Sequence, residues 1–295
     1  MTTQWSFPAS WCRLGGALLM LLAATCGRAA GPLNHIMIIW GENKAVDKTL
    51  AQPYLGALAT SYTQFTNYHG LIHPSQPNYI AFACGELAIL GNSGCGNLPN
   101  KNLVDLLEAK GVDWREYEEG MTTACLDNEV YKSKHDFVAG FTSVSGDPKR
   151  LAKIRGFSGA KPETYAELMG PNPPPVVLVT PNMCNDGHDC GGGQFDAWLR
   201  PGSGFTFFQD MLKSKYFTDG AIFITFDENE GPGENIVYCV GVSSLSKPGQ
   251  IIKKKFNHYS LLRTVEDNFD LGTLTENDAA ATNMLGAFRP PAMKH

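Results

Sequence analysis

The chain is poor in charged residues and has no basic surface of the kind that binds nucleic acid. Charged residues make up 18% of its 295 residues, with 24 Lys and Arg against 29 Asp and Glu. The only dense basic run is Lys253, Lys254 and Lys255, which is typical of a solvated loop. The chain also lacks an internal repeat, a low-complexity tract and a convincing linker. We therefore expect one domain over residues 31–295 and no nucleic-acid partner.

Beyond the N-terminus, no apolar run is long enough to span a membrane. Arg13 precedes the apolar stretch 14–24, which has the length of a signal-peptide core and is short for a bilayer. Arg28 makes a cut after residue 30 irregular, and cleavage after Cys26 or lipidation there stays open. We expect residues 1–30 to be a signal peptide. The remainder is then exported, periplasmic or secreted, without stable membrane insertion.

No CxxC spacing occurs, which disfavours a metal-thiolate site and favours disulfides in an exported protein. Of eight cysteines, Cys12 and Cys26 fall in or at the leader. Proximity in the sequence favours pairing Cys84 with Cys95 and Cys184 with Cys190, which leaves Cys125 for Cys239. Six cysteines permit fifteen pairings, so the alternatives remain open.

Strand and helix signals alternate along the chain. Short apolar runs predict strands at 35–40, 65–70, 112–117, 176–180, 221–226 and 236–242. Amphipathic spacing and capping signals predict helices at 53–60, 77–84, 103–110, 164–169, 205–214 and 259–269. Continuous apolar strands that alternate with helices indicate an α/β fold, a three-layer α/β/α sandwich with a mostly parallel central sheet.

Acidic and polar side chains follow the expected strands directly. They are Glu42 and Asn43, Ser75, the group Asn182, Asn185, Asp186, His188 and Asp189, and Asp227 and Glu228, with His258 at the start of the last helix. The carboxyl ends of parallel strands form the ligand-binding edge of a sheet, so we expect these groups to meet. Gathering so many carboxylates is unfavourable without a cation. A metal-activated serine hydrolase site is the interpretation that this placement favours.

Each of these residues also has an ordinary structural interpretation. A serine before a proline-containing helix start is commonly an N-cap, and the acidic pairs could close turns. His188 could be a solvated residue of a glycine-rich loop, and His258 could be a surface histidine with its hydrogen bonds satisfied. His135 we expect in a surface loop near the entrance of the site. The joint occurrence of the candidate residues at successive strand ends is what favours a functional site.

The motifs carry a family resemblance. They are residues 42–43, 73–79 (HPSQPNY), 181–182 with 185–189, 226–228 and 257–267, and they span roughly residues 35–270. In this order they resemble the secreted acid phosphatase and phosphoesterase family, which includes bacterial phospholipase C-type enzymes, within the alkaline phosphatase superfamily. The chain departs from the family pattern after Asn43, where it reads Lys44-Ala45-Val46 in place of a polar serine and an aromatic residue.

The resemblance implies a role for each residue. Ser75 would be the nucleophile that forms a phosphoserine, and Asn78 would donate a hydrogen bond to a phosphate oxygen. His188 and His258 would contact the transferring phosphoryl group or a second ion. The residues implied to hold a divalent metal ion are Glu42, Asn43, Ser75, Asp227 and Glu228. Their oxygens favour Ca²⁺, Mn²⁺ or Mg²⁺, and the histidines keep Zn²⁺ open.

The function expected from the sequence is that of an exported metal-dependent phosphatase acting on small phosphate monoesters through a phosphoserine on Ser75. One alternative is a phospholipase C-like phosphodiesterase. The other is a catalytically inactive secreted binding protein on the same fold.

Overall fold

Eleven strands and eleven α-helices make up the described part of the chain, which in this computed structural model is residues 1–2 and 31–289. Nearly all of the expected signal peptide, from residue 3 to residue 30, lies outside the described residues. The strands are β1 His35–Gly41, β2 Thr63–Phe65, β3 Tyr68–His69, β4 Trp114–Glu119, β5 Ile154–Phe157, β6 Val176–Thr180, β7 Gly220–Phe226, β8 Ile236–Val237, β9 Cys239–Val242, β10 Ile251–Ile252 and β11 Phe256–Asn257. The α-helices are α1 Val46–Leu50, α2 Pro53–Ser61, α3 Gln76–Cys84, α4 Leu103–Ala109, α5 Thr142–Ser145, α6 Pro148–Leu151, α7 Gly192–Leu199, α8 Phe207–Met211, α9 Lys215–Thr218, α10 His258–Phe269 and α11 Glu276–Ala280. Short 3₁₀ helices occupy Ser133–His135, Pro162–Met169 and Leu285–Ala287.

The central sheet has eight strands in the order β10-β2-β9-β7-β1-β6-β4-β5. Every pairing in it is parallel except those of β9, which runs antiparallel to β2 and β7. The three central strands β7, β1 and β6 are buried at every position, as expected of apolar strands covered on both faces. The sheet confirms the predicted α/β fold with a mostly parallel sheet.

Helices cover both faces of this sheet. Successive residues of a strand point to opposite faces, and the end of β1 shows both. Trp40 packs on one face against Tyr79 and Phe82 of α3, with ring centroids 4.6 and 5.8 Å away. Gly41 faces the other side, where a Cβ atom would come within 2.9 Å of Phe195 on α7. The sheet is therefore the middle layer of three.

Two segments that were each predicted as one strand form two strands, because the chain passes there from one sheet to another. The predicted strand 65–70 divides into the end of β2 in the central sheet and β3 in a separate three-stranded sheet, β11-β3-β8. The predicted strand 236–242 divides in the same way into β8 and β9. An apolar run shows that a segment is buried but does not show which sheet each half joins.

Most other predicted elements are confirmed. The strands expected at 35–40, 176–180 and 221–226 and the helices expected at 53–60, 77–84, 103–110 and 259–269 each lie within one residue of the observed bounds. The strand expected at 112–117 begins two residues later, the helix at 164–169 is 3₁₀, and that at 205–214 shortens to α8. Strand β5, at Ile154–Phe157, was not predicted from the sequence. Within residues 1–2 and 31–289, no helix has both the length and the apolar character that a membrane crossing requires.

The disulfide pairing is partly confirmed. Cys184 and Cys190 are bonded. Cys95 pairs with Cys125 across 30 residues, so the expected pairs Cys84–Cys95 and Cys125–Cys239 are wrong. Cys84 in the last turn of α3 and Cys239 on β9 are buried, and neither has a disulfide partner within residues 31–289. Each behaves as a small apolar core residue, because burial raises the thiol pKa, to about 12 for Cys84.

Candidate active site

Backbone hydrogen bonds tie together three chain segments that leave the central strands. β1 lies between β7 and β6, and the amide of Asp227 donates to the carbonyl of Gly41 at 3.3 Å. The amide of Glu42 donates to the carbonyl of Asp186 at 2.9 Å. The acidic side chains that follow these strands are therefore held at one edge of the sheet, as the sequence predicted.

The turn before α3 places Ser75 at this edge. Gly70 allows the turn to approach, because a Cβ atom there would lie 2.6 Å from the Asp227 carbonyl oxygen. Ser75 is 2% exposed, and its side chain makes no capping hydrogen bond to the helix. Its hydroxyl lies 3.0 Å from Glu42 Oε2 and 3.2 Å from Glu228 Oε1. The helix-cap interpretation of Ser75 is therefore wrong.

Four buried carboxylates lie together at this edge: Glu42, Asp186, Asp227 and Glu228. Burial raises the pKa of Glu42, although Tyr79 donates a hydrogen bond to it. Burial and the charge of Glu42 raise the pKa of Asp186 and Asp227 well above the usual range. Burial with the charges of Asp227 and Glu42 raises the pKa of Glu228 to about 8. The four groups resist being ionised together unless protons or a cation compensate them.

The donor set fits a divalent cation. Ser75 has one hydroxyl proton and therefore cannot donate to two carboxylates at once. Asp227 Oδ2 and Asp186 Oδ2 are buried and have no hydrogen-bond partner among the described residues. Asn43 follows Glu42 with a left-handed backbone, φ 49°, and its amide donates to Asp227 Oδ1 at 3.1 Å. A hard cation suits such an array of oxygens.

His135 is the main residue that the sequence analysis misplaced. It is 2% exposed and not in a surface loop. Its Nε2 lies 3.2 Å from Glu42 Oε2, its Nδ1 lies 3.7 Å from Asp186 Oδ2, and its ring stacks on Tyr79. Burial and the charge of Lys134 lower its pKa to about 3, so the imidazole is neutral at neutral pH. A neutral ring nitrogen beside carboxylates adds a possible metal ligand.

His258 lies at the edge of the site but does not face its interior. Its Nε2 lies 2.6 Å from the carbonyl oxygen of Asp227, which can only accept, so this nitrogen carries the proton. Its Nδ1 then accepts from the Tyr68 hydroxyl at 3.0 Å. Both ring nitrogens are thus engaged, and burial lowers the pKa to about 4. His258 therefore supports the backbone of Asp227, and its ring nitrogens are not directed at a phosphoryl group as expected.

Asn78 also supports the site from behind. Its Oδ1 accepts from the amides of Leu71 and Ile72, at 2.9 and 3.3 Å. Its Nδ2 donates to the carbonyl of Ile72 at 2.8 Å and lies 3.2 Å from that of Pro74. The side chain is 0% exposed. Its amide hydrogens donate to carbonyl groups within the turn that carries Ser75, so the structure does not support the expected donation to phosphate.

The loop after β6 delivers Asp186 and His188. Glu119 anchors the loop by accepting from the Asn185 side chain at 2.8 Å, and the Cys184–Cys190 disulfide closes it. His188 is 29% exposed, with Nδ1 2.7 Å from Asp189 Oδ1. Its Nε2 lies 3.5 Å from Lys134 Nζ, on the open side of the site. His188 therefore remains in reach of a substrate.

A cavity of about 440 Å³ opens over the site. Its lining residues are Asn43, His73, Glu228, Asn229, Glu230, Gly231 and Pro232. His73 pairs with Glu228 across 2.5 Å, and its side chain is exposed. The cavity gives a small solute access to one side of the carboxylate group.

A second group of buried carboxylates lies beside the site, formed by Glu116, Glu118 and Asp136, with one oxygen of each within 4.8 Å of the others. Glu116 accepts from the amides of Phe137 and Val138, which fixes the turn after His135. Burial raises the pKa of Glu116 to about 7. These oxygens form a second set that could hold a cation. Without a cation the three carboxyl groups would share protons. In both cases Glu116 helps to position His135 through the turn that follows it.

Sequence reasoning missed Tyr79, His135 and Lys134 as members of this site. Tyr79 carried a usable signal, because it stands four residues after Ser75 and shares its side of the helix. His135 and Lys134 belong to a long irregular segment with no periodicity to place them.

Comparison with known proteins gives consistent matches. The model of a family described as "Phosphoesterase family" matches residues 48–272. The chain is 34% identical over 264 residues to a Kluyveromyces lactis protein named "Probable acid phosphatase", covering 84% of this chain and 61% of that protein. It is 28% identical over 277 residues to the "Phosphatidylinositol-3-phosphatase" of Mycobacterium tuberculosis, covering 90% and 85%. The chain thus spans only about three fifths of the length of the fungal relative.

Among solved structures, the fold resembles a Vibrio parahaemolyticus protein of the alkaline phosphatase superfamily. The TM-score is 0.57 at 14% identity, and the match covers 85% of this chain and 70% of the other. At that identity the likeness concerns the fold alone.

Proposed function

Since this chain belongs to the phosphoesterase family, we propose that it is an exported, divalent-metal-dependent phosphatase that hydrolyses small phosphate monoesters through a phosphoserine on Ser75. The acid phosphatase and phosphoinositide phosphatase names of its relatives support the reaction class. The two disulfides fit an oxidising compartment and support export. We further propose that residues 31–295 act as one domain.

The observation that carries the proposal is the position of the Ser75 hydroxyl, buried between Glu42 and Glu228. A serine that only stabilised a helix start would use its hydroxyl on the helix, and this one does not. Acidic groups converging on a serine, with orphaned carboxylate oxygens beside it, suit an activated nucleophile better than a binding surface.

The proposed metal ligands are Glu42, Asn43, Ser75, Asp227 and Glu228, with Asp186 and His135 as further candidates that the structure adds. A bound divalent cation would neutralise the carboxylates, lower the pKa of the hydroxyl and balance charge on the phosphoryl oxygens. Ca²⁺, Mn²⁺, Mg²⁺ and Zn²⁺ all remain compatible with this mixed oxygen and nitrogen set.

The chain's own groups account for the remaining steps. Ser75 Oγ attacks phosphorus, the bond from phosphorus to the ester oxygen breaks, and the released oxygen takes a proton from water and leaves as the alcohol. The hydroxyl proton of Ser75 passes to the carboxylate that accepts its hydrogen bond, Glu42 or Glu228. Water then attacks the phosphoserine and regenerates the hydroxyl. His188, on the open side, is placed to contact the phosphoryl group, while Asn78 and His258 keep the turn and the Asp227 backbone in position.

The test is hydrolysis of 4-nitrophenyl phosphate and bis(4-nitrophenyl) phosphate, with and without chelator, by the native protein, Ser75→Ala and Ser61→Ala. Ser61 is an exposed serine at the end of α2 and serves as the matched control. We expect monoester turnover that chelation abolishes, that falls by at least about a thousandfold in Ser75→Ala, and that is unchanged in Ser61→Ala.

Three outcomes would contradict the proposal. Near-native turnover by Ser75→Ala would remove Ser75 as the nucleophile. Turnover of the diester alone would favour the phospholipase C-like alternative. No turnover of either ester with any of the four cations, together with no cation-dependent rise in melting temperature, would favour an inactive binding protein.

A further inference from the structure

A second and larger cavity, of about 510 Å³, opens beside the start of α3, where the Gln76 amide contacts its lining residue Asn92. Its lining residues are Asn92, Ser93, Gly94, Cys95, Cys125, Asp127, Ser133 and Lys134. Amide, hydroxyl, carboxylate and ammonium groups all border it, and no large apolar side chain does. Its size is that of a small-molecule site.

One wall of this cavity is fastened to the residue that follows the nucleophile. The Gln76 side chain accepts from the amides of Ser93 and Gly94, at 2.6 and 3.1 Å, and donates to the Gly94 carbonyl. The Gln76 amide donates to Asn92 Oδ1 at 2.9 Å. The wall formed by residues 92–94 therefore keeps a fixed position relative to Ser75.

The opposite wall is the short 3₁₀ helix that carries Lys134. Asp127 holds its first residue, accepting from the Ser133 amide at 2.8 Å and from the Ser133 hydroxyl at 2.7 Å. The Cys95–Cys125 disulfide joins the two walls. Both walls of the cavity are thus polar and braced.

Lys134 connects this cavity with the carboxylate site. It is the only cation among the cavity's lining residues, and its Nζ lies 3.5 Å from His188 Nε2. No carboxylate among the described residues forms an ion pair with it, although its neighbour His135 contacts Glu42 at 3.2 Å. A half-buried ammonium without a carboxylate partner is available to an anionic ligand.

We infer that this cavity is the leaving-group subsite and selects soluble phosphate monoesters of small polyhydroxylated alcohols, with Lys134 contacting the ester oxygen. The inference rests on the proposed phosphatase function. Hydroxyl groups of a polyol match the alternating donors and acceptors of the walls, whereas an acyl chain would gain no apolar contact there. The Lys134 ammonium stabilises the negative charge that develops on the ester oxygen as its bond to phosphorus breaks.

The experiment fills the cavity and compares phosphate esters with inorganic phosphate. Ser93 is exposed at the cavity wall, so Ser93→Trp places a large side chain in it. The matched control is Ser61→Trp. Ser61 is exposed and precedes β2 at the amino end of the parallel strands, opposite the site. The substrates are glucose 6-phosphate and 4-nitrophenyl phosphate, whose leaving group needs little stabilisation.

We expect Ser93→Trp to lower kcat/KM for glucose 6-phosphate at least about tenfold and to change the inhibition constant of inorganic phosphate, which has no leaving group, less than about threefold, with Ser61→Trp unchanged. Equal effects on the ester and on inorganic phosphate, or none on glucose 6-phosphate, would overturn the subsite. The subsite would also be overturned if the protein hydrolysed a phosphoinositide monophosphate in phosphatidylcholine vesicles faster than glucose 6-phosphate, at a rate that Ser93→Trp does not change. If the native protein hydrolyses neither soluble ester, the proposed function itself fails.

Lys134→Met supplies a second test that does not depend on folding around a new tryptophan. Because an alkoxide needs more stabilisation than nitrophenolate, we expect a larger loss of kcat/KM with glucose 6-phosphate than with 4-nitrophenyl phosphate. Lys134→Arg keeps the charge and should recover part of the loss. An equal loss with both substrates, or no recovery by arginine, would contradict the assigned contact.

Discussion

Glu266 on α10 is a carboxyl group that the fold holds in its neutral form. It is 0% exposed, and neither of its side-chain oxygens has a hydrogen-bond partner among the described residues. The neighbouring Asp278 accepts from Leu274 and Thr275, which keeps a negative charge facing Glu266. Arg263 pairs instead with Asp267 at 2.8 Å. Burial and then the charge of Asp278 raise the pKa of Glu266 to about 9.

The magnitude follows from the difference between the folded and unfolded states. A free glutamic acid has a pKa of about 4.3, so the unfolded chain releases a proton that the folded chain retains. Stability therefore falls as pH rises from about 4.3 to about 9, by about 1.4 kcal/mol per pH unit from this group. Glu266→Gln keeps a neutral side chain of similar shape at every pH. Between pH 5.5 and 7.5 its advantage over the native protein should grow by about 2.7 kcal/mol.

The assay is urea denaturation followed by tryptophan fluorescence at pH 5.5, 6.5 and 7.5, with disulfides intact. The control is Glu276→Gln, which changes an exposed glutamate in the first turn of α11. Its curve of unfolding free energy against pH should stay parallel to that of the native protein. If the curve of Glu266→Gln is also parallel to the native curve over this range, Glu266 is ionised in the folded protein. The account of its burial would then be wrong.

Two further predictions concern the supports of the site. Asn78→Ala leaves the amides of the turn before Ser75 without an acceptor, so urea denaturation should show a loss of about 3 kcal/mol; a loss below about 0.5 kcal/mol would show that the turn holds without it. Replacing both Cys95 and Cys125 by alanine should cost ~2–4 kcal/mol and lower the melting temperature more than replacing Cys184 and Cys190, because the first bond closes 30 residues and the second 6. The reverse order of melting temperatures would contradict this reasoning.

The part of the site that the sequence predicted is the part that follows strands. Glu42 and Asp227 come directly after long apolar runs, and parallel pairing brings the ends of those runs together. Ser75 was placed by its position before a helix start. For these residues, the local sequence and the geometry of a parallel sheet both predict a position at this edge, so the prediction required no knowledge of tertiary contacts.

The remaining part depends on contacts that no local pattern records. His135 reaches Glu42 from a segment between β4 and β5 with little regular structure, so its burial is set by tertiary packing. Cys95 finds Cys125 because Gln76 holds the preceding residues 92–94, not because the two cysteines are close in sequence. His258 was correctly placed near the site, but hydrogen bonds to both ring nitrogens decided what it contacts.

The short edge strand β10 has a consequence for the behaviour of the protein at high concentration. Among the strands of the described part of the chain it pairs only with β2, so within that part the other side of Ile251–Ile252 is unpaired, and Ile251 is 58% exposed. The three exposed lysines that follow, Lys253 to Lys255, would bring like charges together if two copies joined there. A two-residue strand next to such a run is a poor template for intermolecular sheet growth, which protects the molecule from aggregation at this edge.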